Sequence, residues 1–216
     1  MMKQAEQMKR KKTNTGLILI FILILLLVVA GVGVQFLAGS KTIPVDYLDT
    51  SYSINVTDPR ALMGDADYCI VARVDKLLDT DYRWPSDLEG KTVTSPYTQY
   101  EVTIVQSIKG ELPEGTALDL YKAGGIAEDG SRYYLYEDDY LPAVGSTAVF
   151  FLYAQAADGS LLASGQGSTR PYSSDTARQV TAIAGEIPAG LNDEQLSDAL
   201  TNQIVTDRER FVASPG

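Results

Sequence analysis

Residues 148–153 are Ala-Val-Phe-Phe-Leu-Tyr, a run in which odd and even positions alike are apolar. A strand with one face in water alternates apolar and polar side chains, whereas a strand covered on both faces does not. We therefore expect this run to form a central strand of a sheet.

Shorter strand patterns surround this run. Between Tyr68 and Asp75, the apolar positions 68, 70, 72 and 74 alternate with a second face that begins at Cys69. Strands are also predicted over residues 100–104, 116–122, 132–136 and 161–163, and a loop over the stretch that contains Trp84, Pro85 and Gly90. Five or six short strands with glycine-rich turns favour a mainly β fold, a small antiparallel barrel or sandwich.

Two helices flank the predicted strands. Asp58 is a suitable N-cap before Pro59, and the helix that follows should end near Ala66. A second N-cap, Asn192, has Gln195 three positions later. In the C-terminal helix, the apolar side chains at positions 196, 200 and 204 share one face, which we expect to pack on the barrel.

The N-terminal part of the chain predicts a membrane anchor. Residues 16–38, GLILIFILILLLVVAGVGVQFLA, are long enough at about 1.5 Å per residue to cross a hydrocarbon core of roughly 30 Å. Lys9-Arg10-Lys11-Lys12 precedes them, so residues 1–15 should form a cytoplasmic basic tail. The alternative is a signal peptide cleaved after the small residues 38–40. The bilayer is the partner of the retained anchor.

The remaining chain divides into three predicted regions. Residues 39–57 are polar and mixed, as in a stalk, and residues 58–170 carry the predicted barrel. Residues 171–216 contain a connector and the C-terminal helix. This arrangement places the C-terminal domain outside the cytoplasm.

Several motifs within the barrel region resemble those of a protein group. They are Ala66-Asp67-Tyr68, Tyr97-Thr98 to Val105, Ile108-Lys109-Gly110, Gly124-Gly125, Val144-Gly145, Phe150-Phe151-Leu152 and Gly165-Gln166-Gly167. Over about residues 60–170, the chain resembles uncharacterised membrane-anchored or lipid-anchored envelope proteins of Gram-positive bacteria. The resemblance implies a small OB-like β-barrel, and it supplies no catalytic residues.

Composition excludes several classes of site. The chain has no histidine and a single cysteine, which excludes Ser-His-Asp and Cys-His catalysis and most zinc sites. Of its 18 basic and 28 acidic residues, five and one respectively lie before residue 41, so the rest has a net charge of −14. This charge disfavours binding to nucleic acid. An exported domain without a disulfide is more typical of a bacterial envelope than of a eukaryotic secretory pathway.

Two clusters of residues are candidate sites. The carboxylates of Asp129, Glu137, Asp138 and Asp139 could hold Ca²⁺ or form a solvated acidic loop, and no other cofactor is expected. The tyrosines Tyr133, Tyr134, Tyr136 and Tyr140 could bind protein or sugar, or could fill the barrel. Cys69, within a predicted strand, is interpreted as a buried and inert thiol.

The leading hypothesis is a non-catalytic binding or scaffold module of the bacterial envelope. Its partner would be an envelope protein or a wall-derived ligand. One alternative is a histidine-free hydrolase or carbohydrate-active enzyme that uses two carboxylates in a concave pocket. Another is a sensing ectodomain that signals through a partner membrane protein, since a tail of about 15 residues is too short for an output domain.

Overall fold

The computed structural model describes residues 43–88, 91–173 and 181–214, without the side chains of residues 84–93. Strands dominate its regular structure, so the prediction of a mainly β chain is confirmed. No helix within these ranges is long and apolar enough to cross a membrane. The predicted span, residues 16–38, and its basic tail lie outside the described residues.

The strands and helices are named in chain order. The strands are β1 (Val45–Leu48), β2 (Tyr68–Leu88), β3 (Lys91–Lys109), β4 (Ala117–Ala123), β5 (Gly125–Ile126), β6 (Tyr133–Tyr136), β7 (Tyr140–Pro142), β8 (Thr147–Ala154), β9 (Leu161–Ala163), β10 (Thr169–Pro171) and β11 (Ala182–Gly185). The helices are α1 (Pro59–Asp65) and α2 (Asp193–Thr201).

The largest sheet closes on itself. Its strand order is β10-β8-β2-β3-β4-β9, and β9 also pairs with β8. Strands β2, β3, β4, β9 and β8 thus form a ring, in which β4 and β9 run parallel and the other neighbours run antiparallel. Two smaller sheets, β1-β6-β5 and β11-β7, lie outside the ring.

Both faces of β8 are buried, as its sequence predicts. Phe150 belongs to the cluster that fills the ring, here called the interior cluster, and Ile70 of β2 lies in the same cluster. Phe151 and Val71 belong instead to a second cluster, the outer cluster, which contains Leu62 of α1 and other helical side chains. The helices therefore cover the outside of β8 and of the start of β2, which explains why β8 lacks a polar face and why Val71 of β2 is apolar.

Both predicted N-caps are present. The Asp58 carboxylate accepts a hydrogen bond from the Arg60 backbone N–H at 2.9 Å, with Pro59 at the start of α1. At α2, the Asn192 side chain and the Gln195 side chain each accept a hydrogen bond from the other residue's backbone N–H, at 2.9 and 3.0 Å. Such reciprocal capping satisfies N–H groups that have no partner within the helix.

The predicted loop around Trp84, Pro85 and Gly90 is largely strand. β2 continues to Leu88 and β3 begins at Lys91, with register shifts along the pair. Residues 77–88 and 91–97, here called the distal hairpin, extend beyond the part of β2 that pairs with β8. Leu77 is 47% exposed, so this ribbon does not show the alternation of a half-buried strand, and the sequence pattern missed it.

The predicted stalk also contains a strand. β1 lies within residues 39–57 and pairs in parallel with β6. The Arg132 guanidinium donates to the Asp46 carboxylate at 2.6 Å across this pair. Val56 is buried in the outer cluster. These contacts join residues far apart in sequence, so local composition could not reveal them.

The chain after α2 forms no helix or strand but packs closely on the domain. We call residues 203–214 the C-terminal segment. Phe211 and Ala213 pack against the interior cluster, and the Ser214 N–H donates to the Gly159 carbonyl at 3.0 Å. Ile204, predicted on the apolar face of the helix, lies beyond its end and is 51% exposed.

Candidate functional site

The predicted acidic ligands lie in different surroundings. Asp129 lies in the exposed turn between β5 and β6, where hydrogen bonds from Ser131 lower the pKa of its carboxyl. Asp138 follows β6 with a φ of 49°, and its carboxylate accepts from the Gln166 side chain at 2.8 Å. Glu137 is an exposed neighbour in the same turn.

Asp139 is separated from the other three by burial. Its side chain is fully buried and contacts Lys122, with 2.5 Å between Oδ2 and Nζ. Among the residues that the structure describes, no three acidic, histidine or cysteine side chains form a group that could hold a metal ion. Asp139 is therefore paired with a lysine, whereas the other three carboxylates are exposed.

The predicted tyrosines are divided among separate clusters. Tyr133 packs beside β1 in a small cluster around Leu135, and Tyr134 is half-buried on the same strand. Tyr140 is completely buried, which removes it from any binding surface. Only Tyr136 joins a larger aromatic surface.

That surface lies outside the ring, where the distal hairpin meets β4. The Arg83 guanidinium carbon is 4.4 Å from the centre of the Tyr121 ring and 5.3 Å from that of Tyr97. Both distances are within the range of cation–π attraction. Tyr121 and Tyr136 pack around Tyr97 and Leu162. We call Arg83, Tyr97, Tyr121 and Tyr136 the tyrosine–arginine face.

The charge of Arg83 is compensated locally. Its Nε donates to the Asp81 carboxylate at 2.6 Å. The pKa of Tyr97 is raised to about 12, chiefly by burial and also by the neighbouring Tyr136, while Arg83 opposes both effects. Burial likewise raises the pKa of Tyr136. The face is therefore uncharged apart from one neutralised ion pair.

Two projecting segments border this face. The distal hairpin supplies Arg83, and the turn between β8 and β9 lies nearby. In that turn, hydrogen bonds from Ser160 lower the pKa of Asp158, and the positive charge of Arg83 lowers it further. Gly159 adopts a φ of 73° there, a conformation that glycine reaches without steric cost.

Sequence reasoning missed this face because its members are far apart along the chain. The outward position of Tyr121 in a predicted strand was the one local signal. Arg83 fell in a segment predicted as loop, and its pairing with β3 brings it to Tyr97.

Apart from the tyrosine–arginine face, the structure has a pocket at the C-terminal end of α1. An open pocket of about 660 Å³ is lined by Asp67, Lys109, Leu112, Arg210 and Phe211, among others. The Lys109 ammonium donates to the Met63 carbonyl at 2.6 Å. Arg210 donates to the Ala66 carbonyl at 2.8 Å.

These cations cap the helix rather than face an empty site. The last carbonyls of a helix lack partners within it and carry partial negative charge. Arg208 completes the arrangement with a 2.5 Å hydrogen bond to Asp67, whose side chain is 3% exposed. Burial and the charge of Arg210 both lower the pKa of Lys109.

Cys69 is fully buried, which confirms the prediction of a buried thiol. Burial raises the pKa of this thiol, although the charge of Lys109 opposes the effect. A protonated thiol without access to solvent is a poor nucleophile.

Comparison with known proteins returned no similarity: no family model, curated protein or solved structure matches this chain. Its function is therefore inferred from the geometry of its own residues.

Proposed function

We propose that this chain is a single-pass membrane protein whose extracytoplasmic domain is a non-catalytic binding module of a bacterial envelope. Residues 16–38 would serve as the anchor, with the basic tail in the cytoplasm. The support for this topology is the apolar run and the four basic residues at positions 9–12.

The extracytoplasmic domain is proposed to be an OB-type barrel. This interpretation is supported by the closed five-stranded ring, in which β2, β3 and β4 are successive neighbours and β9 lies between β4 and β8. Barrels of this type bind extended ligands on one outer face, between the loop joining the first two strands and the loop joining the last two. Here those connections are the distal hairpin and the β8–β9 turn.

The tyrosine–arginine face is the observation that carries the proposal. It lies between these two connections and combines aromatic rings with a guanidinium that lies over two of them. Aromatic side chains with polar edges contribute large contact area at binding surfaces. Tyr121 and Tyr136 are half-buried, so part of each side chain remains available to a ligand.

The charge of the domain favours a neutral, wall-derived glycan as the ligand. Arg83 is already paired with Asp81, so the face offers no free cation to an anionic polymer. The net charge of −14 after residue 40 adds long-range repulsion of anionic polymers. Aromatic rings pack against the apolar faces of sugars without any need for charge.

The test uses the full chain, expressed in a Gram-positive host and extracted from its membranes with a mild detergent. We expect it in the membrane fraction, and its release into the medium with a new terminus at Lys41 would overturn the anchor. The purified protein is then incubated with insoluble wall glycan stripped of anionic polymers, and with soluble N-acetylglucosamine oligomers as competitors.

Matched tyrosine variants locate the binding surface. Tyr121→Ala should weaken binding about tenfold, which corresponds to about 1.4 kcal/mol. Tyr47→Ala removes a tyrosine that is 42% exposed on β1 and should leave affinity unchanged. Failure of the unaltered chain to bind the glycan, or equal loss in both variants, would contradict this assignment.

A further inference from the structure

Among the residues that the structure describes, one ion pair has both side chains fully buried. Lys122 lies on β4 and Asp139 immediately precedes β7, and both side chains have no exposed area. The distance from Nζ to Oδ2 is 2.5 Å. Lys122 follows Leu118 and Leu120 at alternate positions of β4, so its side chain points into the ring with theirs.

This pair differs from the other ion pairs of the described residues. In each of those, at least one partner is 28% or more exposed. Removing two charges from water is costly, and an ion pair without solvent must be stabilised by its own partners. Burial raises the pKa of the Asp139 carboxyl, although Lys122 opposes the shift. Transfer of one proton from the ammonium to the carboxylate within this contact gives an amine and a carboxylic acid, which are the reactants of an amide condensation.

The two oxygens of the Asp139 carboxyl group have different partners. Oδ1 of Asp139 accepts a hydrogen bond from the Tyr140 backbone N–H at 2.9 Å, while Oδ2 faces the lysine amine. A fixed N–H donor stabilises the negative charge that develops on a carbonyl oxygen during attack. Oδ1 is thus placed to remain as the amide oxygen, and Oδ2 to depart.

Two buried hydroxyl groups lie in the same region without hydrogen-bond partners, those of Tyr100 and Tyr140. Burial raises the pKa of Tyr100, and the charges of Tyr140 and Asp139 raise it further, which places the three groups within electrostatic reach of one another. A tyrosine hydroxyl can both donate and accept a hydrogen bond. Each hydroxyl therefore has a donor and an acceptor free near the ion pair.

We propose that Lys122 and Asp139 become joined by an intramolecular isopeptide bond. The Nζ lone pair attacks Cγ, the Nζ–Cγ bond forms and the Cγ–Oδ2 bond breaks. Of the two protons on the neutral amine, one remains on the amide nitrogen and the other joins the carboxylic acid O–H to leave as one water molecule. No oxidant, metal or cofactor is required. The bond would tie the ring to the segment that leads into β7, in a chain whose single cysteine precludes an internal disulfide.

The mass of the full-length protein tests the proposal directly. The chain is purified from membranes, fully denatured and measured intact. We expect a mass lower by one water than the sequence requires. A protein at the unmodified mass would overturn the proposal and leave the contact as an ion pair only.

Digestion with trypsin locates the bond. An amide at Lys122 blocks cleavage there, so residues 110–132 should be recovered attached to residues 133–178. Separate peptides that end at Lys122 and begin at Ala123 would contradict the assignment even if the mass were lower.

Lys122→Arg is the matched control, because arginine retains the charge and the hydrogen-bond donors but forms no such amide. This variant should have its full sequence mass. A loss of one water that persists in Lys122→Arg would place the modification elsewhere and overturn the proposal. Because this readout is covalent, it is independent of whether the tyrosine–arginine face binds a glycan.

Discussion

Tyr97 lies against Arg83, and burial raises the pKa of its hydroxyl to about 12. In an unfolded chain the same hydroxyl ionises near pH 10. The neutral hydroxyl therefore supports the folded state fully below pH 10, and this contribution is lost as the pH rises through about 12.

This shift predicts a pH-dependent difference between the wild-type protein and Tyr97→Phe. The difference in their free energies of unfolding should be constant below pH 10. Between pH 10 and 12 the wild-type protein should lose stability relative to the variant. Urea unfolding at a series of pH values measures the difference, and a flat profile across that interval would contradict the assigned shift.

Individual residues also show how differently the fold places neighbouring carboxylates. Asp138 and Asp139 are adjacent in sequence, yet one is exposed and the other is completely enclosed with Lys122. Local spacing can gather carboxylates, but it does not show which of them the fold will bury. The sequence does indicate the burial of Lys122, because this lysine occupies a position on the apolar face of a predicted strand.

At the scale of elements, α1 and the C-terminal segment make an unusually close contact at Gly64. A Cβ atom added there would lie 1.9 Å from the Ile204 carbonyl oxygen. Gly64→Ala should therefore push the segment away from α1, even though alanine favours the helix by up to about 1 kcal/mol. We expect a net loss of about 1–3 kcal/mol in the free energy of unfolding, as for other overpacked sites.

Amide hydrogen exchange shows which residues lose protection in Gly64→Ala. Protection should decrease in residues 203–214, which Arg208 and Arg210 hold against the end of α1. Amides in the ring should keep their relative order of protection. Unchanged exchange in the C-terminal segment would show that the close contact is not maintained in solution.

Elements buried on two faces or capped by side chains were predictable from sequence, whereas exposed or non-local ones were not. The apolar run at residues 148–153 predicted a strand buried on both faces, and Asn192 with Gln195 predicted the start of α2. The distal hairpin has no buried face to impose a period, and β1 pairs only with a distant strand. The tyrosine–arginine face was not predictable for the same reasons: it depends on the exposed distal hairpin, and that hairpin brings Arg83 to a residue far away in sequence, Tyr121.

The interior and outer clusters meet at β2, and the chain's single cysteine lies at this boundary. Cys69 lies on β2 with its thiol in the outer cluster, while its neighbour Ile70 lies in the interior cluster. Because it is the chain's single cysteine, a thiol reagent reports on one buried position. Reaction requires exposure of that position through local or global opening.

The two clusters share β2 and β8, so we expect them to unfold as one cooperative unit. Cys69 labelling should then follow the global unfolding equilibrium measured in urea. Leu196→Ala in the outer cluster and Leu120→Ala in the interior cluster should each cost about 2–5 kcal/mol. Each should also accelerate labelling, with the logarithm of the rate rising in proportion to the loss of stability, although Leu120 belongs to the interior cluster and Cys69 to the outer one. If the helices instead open by themselves, Leu196→Ala alone would accelerate labelling, and the outer layer would be a separate unit from the ring.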